Sequence, residues 1–314
     1  MKLVIIEPLG VKDDFLLETA KSRLEGKIEI EYFNTRTTDT DELIKRGKDA
    51  DIIVVSNLPL PEKVLEGCKN LKLISVAFTG IDHIAMDYCR KNGIMVCNCS
   101  GYSNHAVSEL VFGSLLCLMR NIIKCDERSR EEGAKDGLIG NELYGKTFGV
   151  IGAGAIGSQV ALVANAFGCK VWVTKHNKDI NLPFAELKTL EEIMSGCDVI
   201  SLHTPLNDST KGLIGEKEIA LMKSNAILVN MARGPVVDSA ALAKALNDEK
   251  IAGAVIDVFE TEPPVSKDHV LVNAKNTVLT PHVAFATKEA LELRAEMVFD
   301  NVVQFIKGSP VNVM

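Results

Sequence analysis

The chain has no excess of positive charge. Its 314 residues carry 35 Lys and Arg against 42 Asp and Glu, a formal net charge of −7. A general nucleic-acid binder usually presents a basic surface, so no nucleic-acid partner is expected. Long apolar runs are missing as well. No window reaches the roughly 18 uninterrupted apolar residues of a membrane span, and Glu7 cuts off Leu3-Val4-Ile5-Ile6 before it reaches the length of a signal-peptide core. No membrane partner is expected. The eight cysteines, at 68, 89, 97, 99, 117, 125, 169 and 197, lack the spacing of a secreted disulfide framework. Several lie in apolar runs, where free cysteine behaves as a small hydrophobe. Cys97 and Cys99 form a C-x-C pair, but no second pair or histidines at ligand spacing accompany them, so no metal site is expected. Reduced thiols and a cytoplasmic location are the simpler expectation. Internal repeats, low-complexity tracts and long linkers are also absent.

What is present is ordinary in bulk. With 46% hydrophobic and 25% charged residues, the composition is that of a globular protein, and the length suits two domains. The first hundred residues alternate short apolar runs with amphipathic segments. Runs at 3–6, 28–33, 51–55, 73–78 and 94–97 read as strands, with helices near 13–25, 41–48 and 85–92. Buried-type strands separated by helices imply a parallel sheet covered on both faces. From Ser103 to about Glu132 the pattern is one long helix rich in Leu, Val and Ala. A second series of strands follows at 148–151, 171–174, 199–203, 226–231, 253–258 and 277–280, with helices at 155–167, 216–222 and 239–247 and a last one over 288–307. The fold class expected is α/β, two doubly wound parallel-sheet domains.

The sharpest motif is Gly152-Ala153-Gly154-Ala155-Ile156-Gly157, placed between the run Thr147–Ile151 and a helical pattern. Strand, glycine turn and helix in that order are the context of a dinucleotide fingerprint. Gly152 allows the tight turn, Gly154 lets the backbone approach a pyrophosphate, and Gly157 lets helix and strand pack closely. The helix N-terminus then offers N–H groups and the positive end of a dipole.

Ligands of open α/β sheets bind beyond the carboxyl ends of the strands. Four polar constellations stand there in the second series: His203-Thr204-Pro205, Asn230-Met231-Ala232-Arg233-Gly234, Asp257 to Glu262, and Thr280-Pro281-His282. A guanidinium can grip a substrate carboxylate and polarise its neighbouring carbonyl. A histidine can pass a proton to an alkoxide as hydride arrives. A carboxylate beside such a histidine fixes its tautomer.

On these residues the chain resembles the D-isomer-specific 2-hydroxyacid dehydrogenases. The matching segments are GAGAIG (152–157), DVISLHTPL (198–206), LVNMARGPVVD (228–238), DVFETEPP (257–264) and TPHVAFAT (280–287), in family order over nearly the whole chain. The resemblance implies that Arg233 binds and polarises substrate, that Glu262 rather than Glu260 supports the histidine, and that His282 is the acid/base. It implies that His203, Thr204, Pro205, Met231 and Ala232 line the cofactor, and that Asp257 lies near the nicotinamide carboxamide. Phe78, Thr79 and Gly80 would form a loop over the substrate, with backbone N–H groups near Thr79 and Gly80 facing its carboxylate. The implied architecture is a Rossmann dinucleotide domain, residues 100–282, and a discontinuous flavodoxin-like substrate domain, residues 1–99 with 283–314. A homodimer built around the long helix is also implied.

One absence bears on the cofactor. An acid about 20 residues after the fingerprint would bind the ribose 2′-hydroxyl of NAD. At that point stand Lys175, His176, Asn177 and Lys178. The basic cluster suits a 2′-phosphate, so NADP is the expected preference, with NAD possible. The segment His282-Val283-Ala284-Phe285-Ala286 is similar to glyoxylate/hydroxypyruvate reductases within the family, which points to a small 2-oxo acid. Phosphoglycerate and larger 2-hydroxy acids remain as alternatives, the first disfavoured because no regulatory domain is expected beyond Met314. The same fold also serves as a dinucleotide-gated binding module in co-repressors of the family, and Arg233, Glu262 and His282 do not exclude that use.

Overall fold

The structure, a computed structural model, describes residues 1–24, 26, 28–174, 182–261 and 264–314. The chain divides into two compact units, Met1–Tyr102 with Ala286–Met314, and Ser103–Phe285.

In the first unit the order is β1 (Lys2–Ile5), α1 (Asp13–Leu24), β2 (Glu29–Tyr32), α2 (Thr40–Gly47), β3 (Ile52–Val55), α3 (Glu62–Gly67), β4 (Leu73–Val76), α4 (Met86–Lys91) and β5 (Met95–Cys97). Among the described residues these strands form one parallel sheet ordered β2-β1-β3-β4-β5. That is the flavodoxin-like winding. Every residue of β3 and β4 is buried. Both faces of a parallel sheet are covered by helices, so its central strands are apolar throughout rather than alternating.

The second unit begins with α5 (Asn104–Met119) and α6 (Ile122–Arg130). The single long helix expected from Ser103 is therefore two, bent by 58° at the break. The break falls at Asn121, whose φ of 52° is left-handed. Asparagine tolerates that region far better than a β-branched or bulky residue would. After it come β6 (Thr147–Ile151), α7 (Ala155–Ala166), β7 (Lys170–Thr174), β8 (Ala185–Leu187), α8 (Leu190–Gly196), β9 (Val199–Leu202), α9 (Glu216–Leu221), β10 (Ile227–Asn230), α10 (Ser239–Asn247), β11 (Gly253–Ile256) and β12 (Thr277–Leu279). Their sheet runs β12-β11-β10-β9-β6-β7-β8, parallel throughout. Counted from β6 this is the Rossmann order, extended by one strand at the β12 edge.

Successive residues of a strand point to opposite faces, and two separate cores result. Ile200, Leu202, Leu228, Ala254 and Ile256 pack on one face. Val199, Ile227, Val229 and Val255 pack on the other, against Val111, Phe112 and Leu115 of α5. The last helix, α11 (Lys288–Ile306), belongs to the first unit and packs on α1 and β4.

Candidate active site

The fingerprint forms the turn from β6 into α7. Gly152 has φ 96°, and a Cβ there would fall 2.7 Å from the His203 carbonyl oxygen. A Cβ on Gly157 would fall 2.1 Å from the Gly152 oxygen, so the first helical turn sits directly on the strand end. Gly154 differs: nothing lies within 4 Å of the position its Cβ would take. That open space fronts the N-terminus of α7, where Gly154 caps without a side-chain hydrogen bond. The first N–H groups of the helix are thus available to an anion. Thr174, at the end of β7, accepts the Gly152 N–H on Oγ1 at 3.0 Å. Ala155 and Ile156 open the helix with exposed and half-buried surfaces respectively.

The neighbouring strand end supplies a wall. Thr204 Oγ1 is buried and has no hydrogen-bond partner, a polar atom left for a ligand to satisfy. Pro205 is exposed beside it, and Met231 and Ala232, after β10, are buried. His203 bonds through Nε2 to Ser201 Oγ at 2.8 Å. Burial takes its ring down to about 4, which favours the uncharged imidazole at neutral pH. These residues fit a nicotinamide dinucleotide: a glycine turn open at Gly154, an uncapped helix N-terminus and an orphaned threonine hydroxyl. Lys175, with the rest of the basic cluster through Lys178, lies outside the described residues.

Arg233 follows β10 and is fixed from both sides by Asn230. The Asn230 amide donates to the Arg233 carbonyl at 3.0 Å, and its Oδ1 accepts the Ala232 N–H at 3.1 Å. Arg233 Nη1 donates to the Ala232 carbonyl at 2.8 Å. Gly234 is dictated by packing. A Cβ there would lie 2.0 Å from the Phe259 carbonyl carbon and 2.5 Å from the Glu260 nitrogen. Only glycine lets the segment after β11 cross directly over the arginine turn. Gly234→Ala is therefore expected to push one backbone off the other. Overpacking of this kind costs about 1–3 kcal/mol, at about 2–4 °C in Tm per kcal/mol for a unit of this size. A lower Tm together with a fall in kcat/KM is the expected result; a variant matching the parent in both would contradict this account of the turn.

His282 sits beyond β12 with φ 55°, left-handed and uncommon for a non-glycine residue. Asp257 holds it there. The His282 N–H donates to the Asp257 carbonyl at 2.7 Å. The Asp257 carboxylate is fully buried. It accepts from Thr280 Oγ1 at 2.5 Å, from the Val283 N–H at 2.9 Å and from the Ala284 N–H at 2.9 Å. Burial pushes its carboxyl up, opposed by those three donors. A carboxylate accepts at about four sites, and three of them brace the histidine turn. The His282 ring meets Phe285 edge-on at 5.6 Å between centroids. Arg233, Asp257 and His282 thus stand beyond the ends of three consecutive strands, β10, β11 and β12.

Glu262 lies outside the described residues. Glu260 is engaged elsewhere: its Oε2 lies 2.9 Å from His269 Nε2. Burial raises its carboxyl, but hydrogen bonds from Ser239 and His269 outweigh that and hold it below the usual range. Phe259 packs edge-on against the His269 ring at 5.2 Å. The sequence reading missed this pair, because His269 stands outside any recognised motif.

In the first unit, Phe78, Thr79 and Gly80 follow β4 at the carboxyl edge of its sheet. Phe78 is buried, with Tyr102 at 6.2 Å and the Arg294 guanidinium 5.4 Å over its face. Thr79 Oγ1 is buried without a hydrogen-bond partner. Elsewhere, all eight cysteines are free thiols. Among the described residues no group of His, Cys, Asp and Glu could hold a metal ion, and no single helix is long and apolar enough to cross a membrane.

The chain is similar to known proteins over most of its length. A family model described as D-isomer specific 2-hydroxyacid dehydrogenase, NAD binding domain, matches residues 112–284. The chain is 35% identical over 294 residues to a hydroxypyruvate reductase of Blautia hydrogenotrophica, covering 91% of each. It is 36% identical over 315 residues to a D-3-phosphoglycerate dehydrogenase of Methanocaldococcus jannaschii, covering 98% of this chain and 58% of that protein. An acyclic imino acid reductase solved with NADPH and D-Arg superposes with a TM-score of 0.91 at 31% identity, covering 100% of both chains.

Proposed function

Since the chain belongs to the D-isomer-specific 2-hydroxyacid dehydrogenase family, we propose that it acts chiefly as an NADPH-preferring reductase of a small 2-oxo acid, hydroxypyruvate or glyoxylate in kind. It is an oxidoreductase of 2-oxo and 2-hydroxy acids that uses a nicotinamide dinucleotide. The observation that carries the catalytic reading is the pair of clamps: Asn230 pins Arg233, and Asp257 pins the turn of His282.

The dinucleotide, when bound, supplies the hydride. Arg233 would hold the substrate carboxylate through a bidentate pair and draw charge from the 2-oxo group. His282 would give a proton to the carbonyl oxygen as it becomes an alkoxide, and would take it back in the oxidative direction. Glu262 would hold the far nitrogen of that ring. His203, neutral and bonded to Ser201, would serve as wall rather than acid. In the first unit, the Thr79 and Gly80 N–H groups would bind the carboxylate. The same reading makes the enzyme a homodimer, supported by the exposed apolar surface of Ile122, Ile123, Ile139 and Tyr144. The eight free thiols suit a reducing cytoplasm.

The test is a panel of 2-oxo acids run with NADPH and NADH in parallel. Higher kcat/KM for hydroxypyruvate or glyoxylate than for 3-phosphohydroxypyruvate and branched acids is expected, and the reverse order would remove the substrate assignment. NADPH should be favoured by about 5–30-fold, the size of a solvent-screened contact of about 1–2 kcal/mol. The preference should shrink at high salt and reverse in Lys175→Asp. Equal or better use of NADH at low salt would show that the basic cluster reads no 2′-phosphate.

A further inference from the structure

We infer that Asn98 is a positioning residue that aims the backbone N–H of Gly80 at the substrate carboxylate. The inference rests on the functional reading above, in which the Thr79 and Gly80 N–H groups face that carboxylate. Among the described residues neither N–H donates to a protein acceptor. What fixes their direction is the other side of each peptide. A peptide unit is planar and trans, so its C=O and N–H point opposite ways and turn together. The Thr79 carbonyl accepts from Asn98 Nδ2 at 2.8 Å, and this sets the direction of the Gly80 N–H. The Phe78 carbonyl accepts from the Cys99 N–H at 2.9 Å, and this sets the direction of the Thr79 N–H. Both donors come from the chain just beyond β5, next to β4 in the sheet.

Asn98 is itself held without slack. It is 4% exposed, and a buried amide is tolerated where its polar groups are satisfied. Its Oδ1 accepts the Ser100 N–H at 3.2 Å, which fixes which end of the amide is oxygen and leaves Nδ2 for Thr79. Its own carbonyl accepts from Asn301 Nδ2 at 2.8 Å, and its N–H donates to the Asn312 carbonyl at 3.1 Å. Asn301, fully buried in α11, accepts in turn from Asn312 Nδ2 at 2.8 Å. Asn312 reaches both partners from a left-handed backbone, φ 55°. Three asparagines, from the segment after β5, from α11 and from the C-terminal segment, therefore form one hydrogen-bonded chain, of which Asn98 alone reaches the Thr79 carbonyl of the substrate loop.

Two substitutions test this. Asn98→Ala removes the donor. Asn98→Asp at neutral pH turns an oxygen on the Thr79 carbonyl and repels it. Each should raise KM for the 2-oxo acid by about tenfold, the order of one hydrogen bond to a charged group, with kcat within about twofold and the dinucleotide Kd unchanged. A uniform loss of binding appears in KM rather than kcat. Asn98→Asp should also recover a low KM as pH falls and its carboxyl gains a proton to donate; Asn98→Ala should not. Calorimetric titration with oxalate, added to enzyme already saturated with dinucleotide, should show the same weakening without turnover. If neither variant folds, Asn312→Ala loosens the network without touching Thr79, and a two- to threefold rise in KM at constant kcat is expected. Unchanged KM and oxalate affinity in folded Asn98 variants, or in Asn312→Ala where those do not fold, would overturn the inference. So would losses confined to Tm and kcat. A parent enzyme that binds no 2-oxo acid would overturn the functional reading, and this inference with it.

Discussion

Replacing His282 by alanine is expected to lower kcat for 2-oxo acid reduction by about 10²–10⁴-fold, the usual contribution of a positioned proton donor, with dinucleotide affinity retained. The residue has a second, structural property that must be separated from the first. Its backbone is left-handed, at φ 55°, and alanine in that region is strained where asparagine is accepted. His282→Asn therefore preserves the turn while removing the acid. If the proton is what matters, the alanine and asparagine variants lose comparable activity, and only the alanine variant also loses Tm. If His282 is merely the residue that fits the turn, asparagine restores turnover, and the catalytic assignment fails. The clamp explains why the comparison is clean. Asp257 holds the turn through the His282, Val283 and Ala284 N–H groups and the Thr280 hydroxyl, none of which belongs to the imidazole.

Much of this arrangement is legible in the sequence, for identifiable reasons. Parallel strands buried on both faces read as short runs such as Ile52–Val55 and Val199–Leu202, and glycines forced by close backbone approach mark the β6–α7 turn. The elements that escape are those with weak or unread signals. Ala185–Leu187 is an edge strand without a β-branched residue. Glu62–Gly67 is shorter than two turns. Leu190–Gly196 did carry a signal, the Thr189–Glu192 capping box. At Asn121 no glycine or proline announces the left-handed break.

Roles are harder to read than positions. Asp257 could be located from its motif, yet that it braces the histidine turn emerges only when β11 and β12 pair. The link from Asn98 to Asn301 spans 203 residues, and no local pattern in one sequence encodes a contact of that range. Gly234 lies between these cases: its place in the motif is plain, but its cause is the Phe259 backbone crossing above it.

That crossing makes Arg233 the second large test. Arg233→Ala is expected to lower kcat/KM for the 2-oxo acid by about 10²–10⁴-fold. Charge-assisted hydrogen bonds are worth about 1.5–3 kcal/mol each, and a bidentate pair makes two of them. Arg233→Lys keeps the charge but loses the planar fork, so a deficit of about tenfold should remain. Dinucleotide binding should survive both changes, because the glycine turn and the α7 N-terminus lie on β6, two strands away from β10 in the sheet. The local fold should survive as well. Asn230 grips the Arg233 carbonyl and the Ala232 N–H rather than the guanidinium, so those two bonds hold the turn when the guanidinium and its own bond to the Ala232 carbonyl are removed. The variants then separate three outcomes. A graded loss, alanine well below lysine and lysine below arginine, with unchanged Tm, is the signature of carboxylate recognition by a fork. Equal activity in lysine and arginine forms would reduce the residue to a point charge. Full activity in the alanine form would move substrate recognition away from β10 altogether.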